Sequence, residues 1–284
     1  MKKNLLLATT LFIFGSFTPI KESVSTEIPI CHTNYEEMAM LAASPEFQAM
    51  HTAPEAFVYE GKGVAVTFPT ADGKTGSGFM IKSPKKSKKW LFVYQEWWGL
   101  NDHIKQEAEK YFNDLGNVNV LAVDMYDGQV ATNPQDAGKI MQAATKAPER
   151  LDAIIKGAVD YAGTKAKIAS VGWCFGGSMS LKSALIEGKQ AVGCVMYYGR
   201  PEKDVEKLKT LNVDVLGIFG SQDKGIPTAM VSEFEENMKK ADKKITIKTY
   251  DADHAFANPS NPKYNKAFAD EAYQEALGYL KKKF

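Results

Sequence analysis

Histidine and cysteine are scarce in this 284-residue chain, at four and three residues respectively. His32, His51 and His103 stand at no metal-ligand spacing from one another or from a cysteine, so neither a metal site nor a cofactor is expected. The cysteines are Cys31, Cys174 and Cys194, an odd number that leaves at least one thiol free within a monomer. Cys194 lies in an apolar stretch and suits the role of a small core residue. Nothing in the sequence supports its pairing with Cys31. A marked excess of either charge is missing as well. A formal net charge of +1 gives no whole-molecule reason to expect nucleic acid or an anionic membrane as partner. A small molecule becomes the default partner, and a monomer is expected.

Long apolar runs are absent after the N-terminus. There, Lys2 and Lys3 precede an apolar stretch over residues 5–17. A spanning helix needs about 20 apolar residues, so this stretch suits a signal peptide better than a retained anchor. Small residues at Ser23-Val24-Ser25 offer a cleavage site. Residues 1–25 are thus expected to be removed on export, giving a periplasmic or secreted protein with no membrane attachment. Lipidation at Cys31 is disfavoured by the preceding Ile28-Pro29-Ile30.

Residues 26–56 form a polar, irregular lead-in with one short helix, for which Asn34 and Glu37 supply a capping-box-like pair. Residues 57–284 suffice for one large domain with a full core. Two β-patterned segments, 64–68 and 78–81, flank the turn signal Ala71-Asp72-Gly73 and predict an antiparallel hairpin. Strands follow at 90–94, 118–123, 167–171, 191–197, 213–219 and 245–250. Helical stripes lie between them: Ile104, Ala108, Phe112 and Leu115, then Leu151, Ile154, Ile155 and Ala158, then Val231, Phe234 and Met238. A last stripe, Phe268, Ala272, Tyr273, Ala276 and Leu280, ends the chain. This alternation predicts an α/β fold with a mostly parallel central sheet, helices on both faces and an N-terminal antiparallel hairpin.

The chemistry centres on Gly172-Trp173-Cys174-Phe175-Gly176. An apolar strand ends at Gly172 and a helix begins just after Cys174, the nucleophile-elbow pattern with Cys in place of Ser. So tight a turn needs Gly on both sides, and the new helix aims its N-terminus at the sulfur, favouring a thiolate. Gly-x-Gly-x-x-Gly is lacking and no P-loop Lys follows, which argues against a phosphate-binding turn. Asp223 and His254 each sit just past a later strand. The order nucleophile, acid, histidine is that of the α/β-hydrolases. Asp251 and Asp253, nearer His254 in sequence, suit turn formation, and Asp124 precedes the nucleophile. Backbone N–H groups of Trp97 and Phe175 are the natural oxyanion donors.

Four segments then carry a family resemblance: Gln95-Glu96-Trp97-Trp98-Gly99-Leu100-Asn101, the elbow Gly172 through Gly177, Tyr197-Tyr198-Gly199, and His254 through Asn258 followed by Tyr264. From about residue 60 onward the chain resembles the dienelactone hydrolase family. That resemblance implies a Cys174–His254–Asp223 triad with Glu96 as local partner of the thiol, acting on small esters or lactones through an acyl-enzyme. A thioesterase or peptidase on the same triad, or an exported binding protein that has lost catalysis, are the alternatives. Trp98, Gln129, Tyr198 and Arg200 are the substrate-pocket candidates. Founding members of the family hold a substrate carboxylate with arginines. Here Gln129 stands where one would be expected, no arginine follows Asp223, and only Arg200 could substitute, so neutral substrates are expected.

Overall fold

In the computed structural model, residues 34–284 are described. The expected signal peptide, Cys31 and His32 lie outside them. The first two elements are α1 (Asn34–Ala43) and α2 (Pro45–Ala49). Between them Ser44 caps α2, its hydroxyl accepting from the Phe47 amide at 3.3 Å. Met38, Ala42 and Phe47 are buried, so this stretch belongs to the core and the expectation of an irregular lead-in is corrected. Glu37, expected in a capping pair, is engaged outside its helix. Its carboxylate accepts from Arg200 Nε and Lys203 Nζ, each at 2.7 Å.

The expected hairpin is present as β1 (Val64–Pro69) and β2 (Thr75–Ile81). The rest alternates: β3 (Lys89–Tyr94), α3 (Asp102–Leu115), β4 (Asn119–Asp124), α4 (Pro134–Thr145), α5 (Pro148–Ala162), β5 (Lys167–Trp173), α6 (Phe175–Glu187) and β6 (Ala191–Tyr197). It finishes with α7 (Val205–Leu208), β7 (Val215–Gly220), α8 (Thr228–Lys240), β8 (Ile245–Tyr250) and α9 (Lys266–Lys283). The eight strands form one sheet in the order β1-β2-β4-β3-β5-β6-β7-β8. β2 pairs antiparallel with both neighbours, and every pair from β4 to β8 is parallel.

Burial explains the strand sequences. All residues of β4 and β7 are buried, as continuous apolar runs covered on both faces must be. The edge strands β1 and β8 are mostly exposed or half-buried, with one buried residue each, Phe68 and Tyr250, as suits strands paired on one side only. From β3 the chain steps to β4 in one direction and from β4 back across to β5 in the other. Right-handed crossovers then place α3 on one face and α5 and α6 on the opposite one. The contacts agree: α3 packs with α9, and α5 with α6.

Two details bear on the site. α4 carries only a thin apolar stripe of Ala137, Gly138 and Met141 behind its Asn133 cap, too weak a pattern to stand out in the sequence. Gly138 lets α1 close on it. A Cβ there would meet the Ala42 carbonyl oxygen at 2.7 Å.

Candidate active site

Open parallel sheets bind ligands at the carboxyl ends of their strands, where the strand order reverses. Here that point lies between β3 and β5, since β4 flanks β3 on one side and β5 on the other. Glu96 and Trp97 follow β3, and Cys174 follows β5. The sequence candidates therefore meet at the place the topology favours.

Cys174 has φ 53° and ψ −117°, a strained conformation for a residue with a side chain. The neighbours enforce it. A Cβ on Gly172 would lie 2.1 Å from the Gly176 carbonyl oxygen, and one on Gly176 would lie 2.3 Å from the Tyr94 carbonyl oxygen. The Cys174 amide donates to the Tyr197 carbonyl at 3.0 Å, pinning the turn to β6. Strand, turn and helix are thus locked with the thiol at the first turn of α6.

Asp223 and His254 meet from separate loops after β7 and β8. His254 Nδ1 donates to Asp223 Oδ2 at 2.6 Å, and the other carboxylate oxygen accepts from the Gly225 and Ile226 amides at 2.8 and 2.9 Å. Burial works to raise the carboxyl's pKa, but the imidazole and the two amides hold it below its ordinary value. Burial likewise works to lower that of His254. The Asp223 charge, joined by the Cys174 sulfur, outweighs it and raises His254 well above its ordinary value. His254 Nε2 is buried with no hydrogen-bond partner, and one ring nitrogen lies within 4.8 Å of Cys174 Sγ. Carboxylate, imidazole and thiol stand in series, an arrangement able to move a proton off sulfur. The rival acids are structural. Asp251 accepts from Ser221 and Gln222, Asp253 from the His254 amide, and Asp124 from Ser77, Tyr126 and Gly128.

The remaining candidates divide. No protein acceptor among the described residues takes up the Trp97 or Phe175 amide, so both stay available. The Trp97 ring is fully buried against Phe47 and Trp98, with centroids 5.2 and 5.0 Å away. Trp98 and Tyr198 line a cleft beside Glu96, and the Tyr198 ring stands 5.2 Å from that of His254. Glu96 makes no hydrogen bond to the thiol, contrary to expectation. Its carboxylate accepts from Asn258 Nδ2 at 2.6 Å and Tyr198 Oη at 3.4 Å, and burial pushes its pKa up to about 7. Gln129 is a second correction. It is exposed, and its side chain donates to the nearby Tyr126 carbonyl, away from both the cleft and the thiol. Arg200 does border the space beside Cys174, but its charge is taken by Glu37.

The lead-in supplies what sequence reading missed. Met38 and Leu41 line the space beside the thiol, and Phe47 and His51 lie against His254 with ring centroids 5.7 and 5.4 Å away. That space amounts to about 10 Å³, room for one water molecule at most and for no acyl group. His51 is buried, and its Nδ1 donates to the Phe47 carbonyl at 2.7 Å. Burial, assisted by the neighbouring His254 charge, lowers its pKa to about 3, so its ring is neutral.

Residues 77–284 match the model of the dienelactone hydrolase family. A protein of Aquifex aeolicus provisionally named carboxymethylenebutenolidase is 27% identical over 212 residues, covering 71% of this chain and 91% of its own. The protein named usf from Aquifex pyrophilus is 28% identical over 213 residues, with the same coverage of 71% and 91%. Among solved structures, a dienelactone hydrolase-like promiscuous phosphotriesterase from metagenomic libraries superposes with a TM-score of 0.67 at 20% identity, covering 78% of this chain and 98% of its own. The dienelactone hydrolase of Anabaena variabilis gives a TM-score of 0.57 at 17% identity, covering 77% and 96%.

Proposed function

The chain belongs to the dienelactone hydrolase family and is a hydrolase of esters or lactones, and on that premise we propose that Cys174 is its nucleophile, with His254 and Asp223 as base and orienting acid. The observation that carries this reading is the 2.6 Å bond from His254 Nδ1 to Asp223, made beside a cysteine held at φ 53°. His254 takes the thiol proton, and the sulfur attacks the substrate carbonyl. The Trp97 and Phe175 amides receive the developing oxyanion, a contribution of about 10²–10³ in rate for such a donor. The leaving alkoxide takes the proton back from His254. Water then hydrolyses the thioester, with His254 again as base.

Glu96 fits a supporting role on His254 rather than on the thiol. Its charge interacts favourably with the imidazolium, so it helps to stabilise the ion pair that precedes attack. The substrate is a neutral ester or lactone. The one arginine at the site is already paired with Glu37 at 2.7 Å, and a buried carboxylate without a cation costs several kcal/mol. The Lys2-Lys3 start and the apolar residues 5–17 support export with removal of residues 1–25. Among the described residues no helix is long and apolar enough to cross a membrane.

The test is hydrolysis of short acyl esters and lactones by wild type and Cys174→Ala, with iodoacetamide inactivation measured with and without substrate. Loss of activity in the variant and protection of the wild type by substrate are expected. Full activity in Cys174→Ala overturns the assignment.

A further inference from the structure

The lead-in brings a second imidazole to the thiol, and the way both imidazoles are held is informative. His254 has its Nδ1 on a carboxylate, Asp223, and His51 has its Nδ1 on a backbone carbonyl, that of Phe47. A carbonyl oxygen only accepts, so His51 carries its proton on Nδ1 and leaves Nε2 as a bare lone pair. Both Nε2 atoms are buried and neither has a hydrogen-bond partner. Histidines that ligate metals are fixed in the same manner, the outer nitrogen donating to a carboxylate or carbonyl while the inner one faces the ion.

The third group at this place is Cys174 Sγ. It and one nitrogen of each histidine all lie within 4.8 Å of one another. Around a tetrahedral Zn²⁺, with Zn–S near 2.3 Å and Zn–N near 2.0–2.1 Å, sulfur and nitrogen ligands stand about 3.6 Å apart. A shift of about an ångström in side chains therefore closes the set. Thiolate and imidazole are the ligands that select Zn²⁺ over hard cations such as Mg²⁺ or Ca²⁺. No cluster of this kind is visible in the sequence, where the three residues are separated by more than a hundred positions or by whole strands.

We propose that His51, Cys174 and His254 form a reversible site for a thiophilic divalent cation, Zn²⁺ foremost, with a fourth position left to water. Binding forms one metal–sulfur and two metal–nitrogen bonds and releases one proton, the one that Cys174 and His254 share. Two consequences follow from the placement. The cation occupies the thiol, so a loaded enzyme is silent. It also ties the segment after α2 to the loops after β5 and β8, holding the lead-in closed over the site.

The experiment uses the purified, reduced chain titrated with Co²⁺ as a spectroscopic stand-in, and with Zn²⁺ in competition. Wild type should show a near-ultraviolet thiolate-to-cobalt band that Zn²⁺ abolishes. Cys174→Ala should lack the band. His51→Ala and the bulkier His51→Gln should both weaken binding at least about tenfold, while His103→Ala should leave it unchanged. In parallel, Zn²⁺ should abolish ester hydrolysis by the wild type and a chelator should restore it. The absorption band depends only on ligation and stands whether or not Cys174 is the nucleophile. A wild type without the band overturns the proposal, as does equal Co²⁺ affinity in wild type and both His51 variants.

Discussion

Glu37 and Arg200 are joined at 2.7 Å across 163 positions of sequence, the acid from α1 and the arginine from the loop after β6. The pair is only slightly exposed, at 16% and 14% of the side-chain surface, and it both anchors the lead-in and removes the one arginine charge from the site. In Glu37→Gln that charge is released toward the space beside Cys174. The ratio of kcat/KM for a carboxylate-bearing ester to that for its neutral analogue should then rise roughly tenfold, the worth of one charge-assisted hydrogen bond. Adding Arg200→Ala should return the ratio to the wild-type value. An unchanged ratio in Glu37→Gln refutes the idea that Arg200 is held in check.

Asp223 fixes the tautomer of His254. In Asp223→Asn the amide nitrogen can donate to Nδ1, which selects the tautomer whose Nε2 carries the proton and cannot accept one. kcat should fall about 10⁴-fold with the fold retained. Measured together, circular dichroism and kcat separate this from unfolding. A loss below tenfold would show that the carboxylate only supports the loop.

Gly172 has no room for a side chain. The methyl group of Gly172→Ala would lie 2.1 Å from the Gly176 carbonyl oxygen, a backbone atom that cannot turn aside. The elbow must shift, at a cost of about 3 kcal/mol, which for a domain of this size lowers Tm by about 6–12 °C. Activity should drop even below the melting range, since the thiol moves with the turn. Thermal unfolding and kinetics on the same sample check both effects.

Glu187 gives a pH signature away from the site. It is buried at the end of α6, accepts from Ser183 Oγ at 2.6 Å, and burial pushes its pKa up to about 8. A carboxyl raised in the folded state favours its neutral form there. The folded chain thus binds more protons than the unfolded one between about pH 4.5 and 8, and stability falls across that window as pH rises. Glu187→Gln removes this contribution. Relative to wild type, the variant should gain stability on the order of several kcal/mol between pH 5 and pH 9 in urea unfolding. Parallel wild-type and variant curves would place the Glu187 pKa near its ordinary value.

The parallel strands and the elbow were legible in the sequence because each is local. A strand buried on both faces writes itself as a continuous apolar run, and Gly172 and Gly176 flank Cys174 directly. The positions of Cys174, Asp223 and His254 just past strand ends, in that order along the chain, then bring three distant residues together. What stayed hidden depends on contacts between segments. His51 looked like a lone histidine because its partners lie far along the chain. Glu37 matched a capping pattern, and its engagement with two cations from the loop after β6 could not be read from it. Gln129 occupied a position suggested by resemblance, and the local turn claimed its side chain. α4 escaped notice because small residues, chosen to let α1 approach, carry little hydrophobic signal.

The roof over Cys174 comes from residues 38–51, whereas the family match begins at residue 77. The elbow and part of the cover over its thiol are thus written in separate stretches of one polypeptide. Exchanging the upstream stretch would alter the surroundings of the thiol while the elbow and its partners keep their own sequence, so cover and elbow are free to diverge independently.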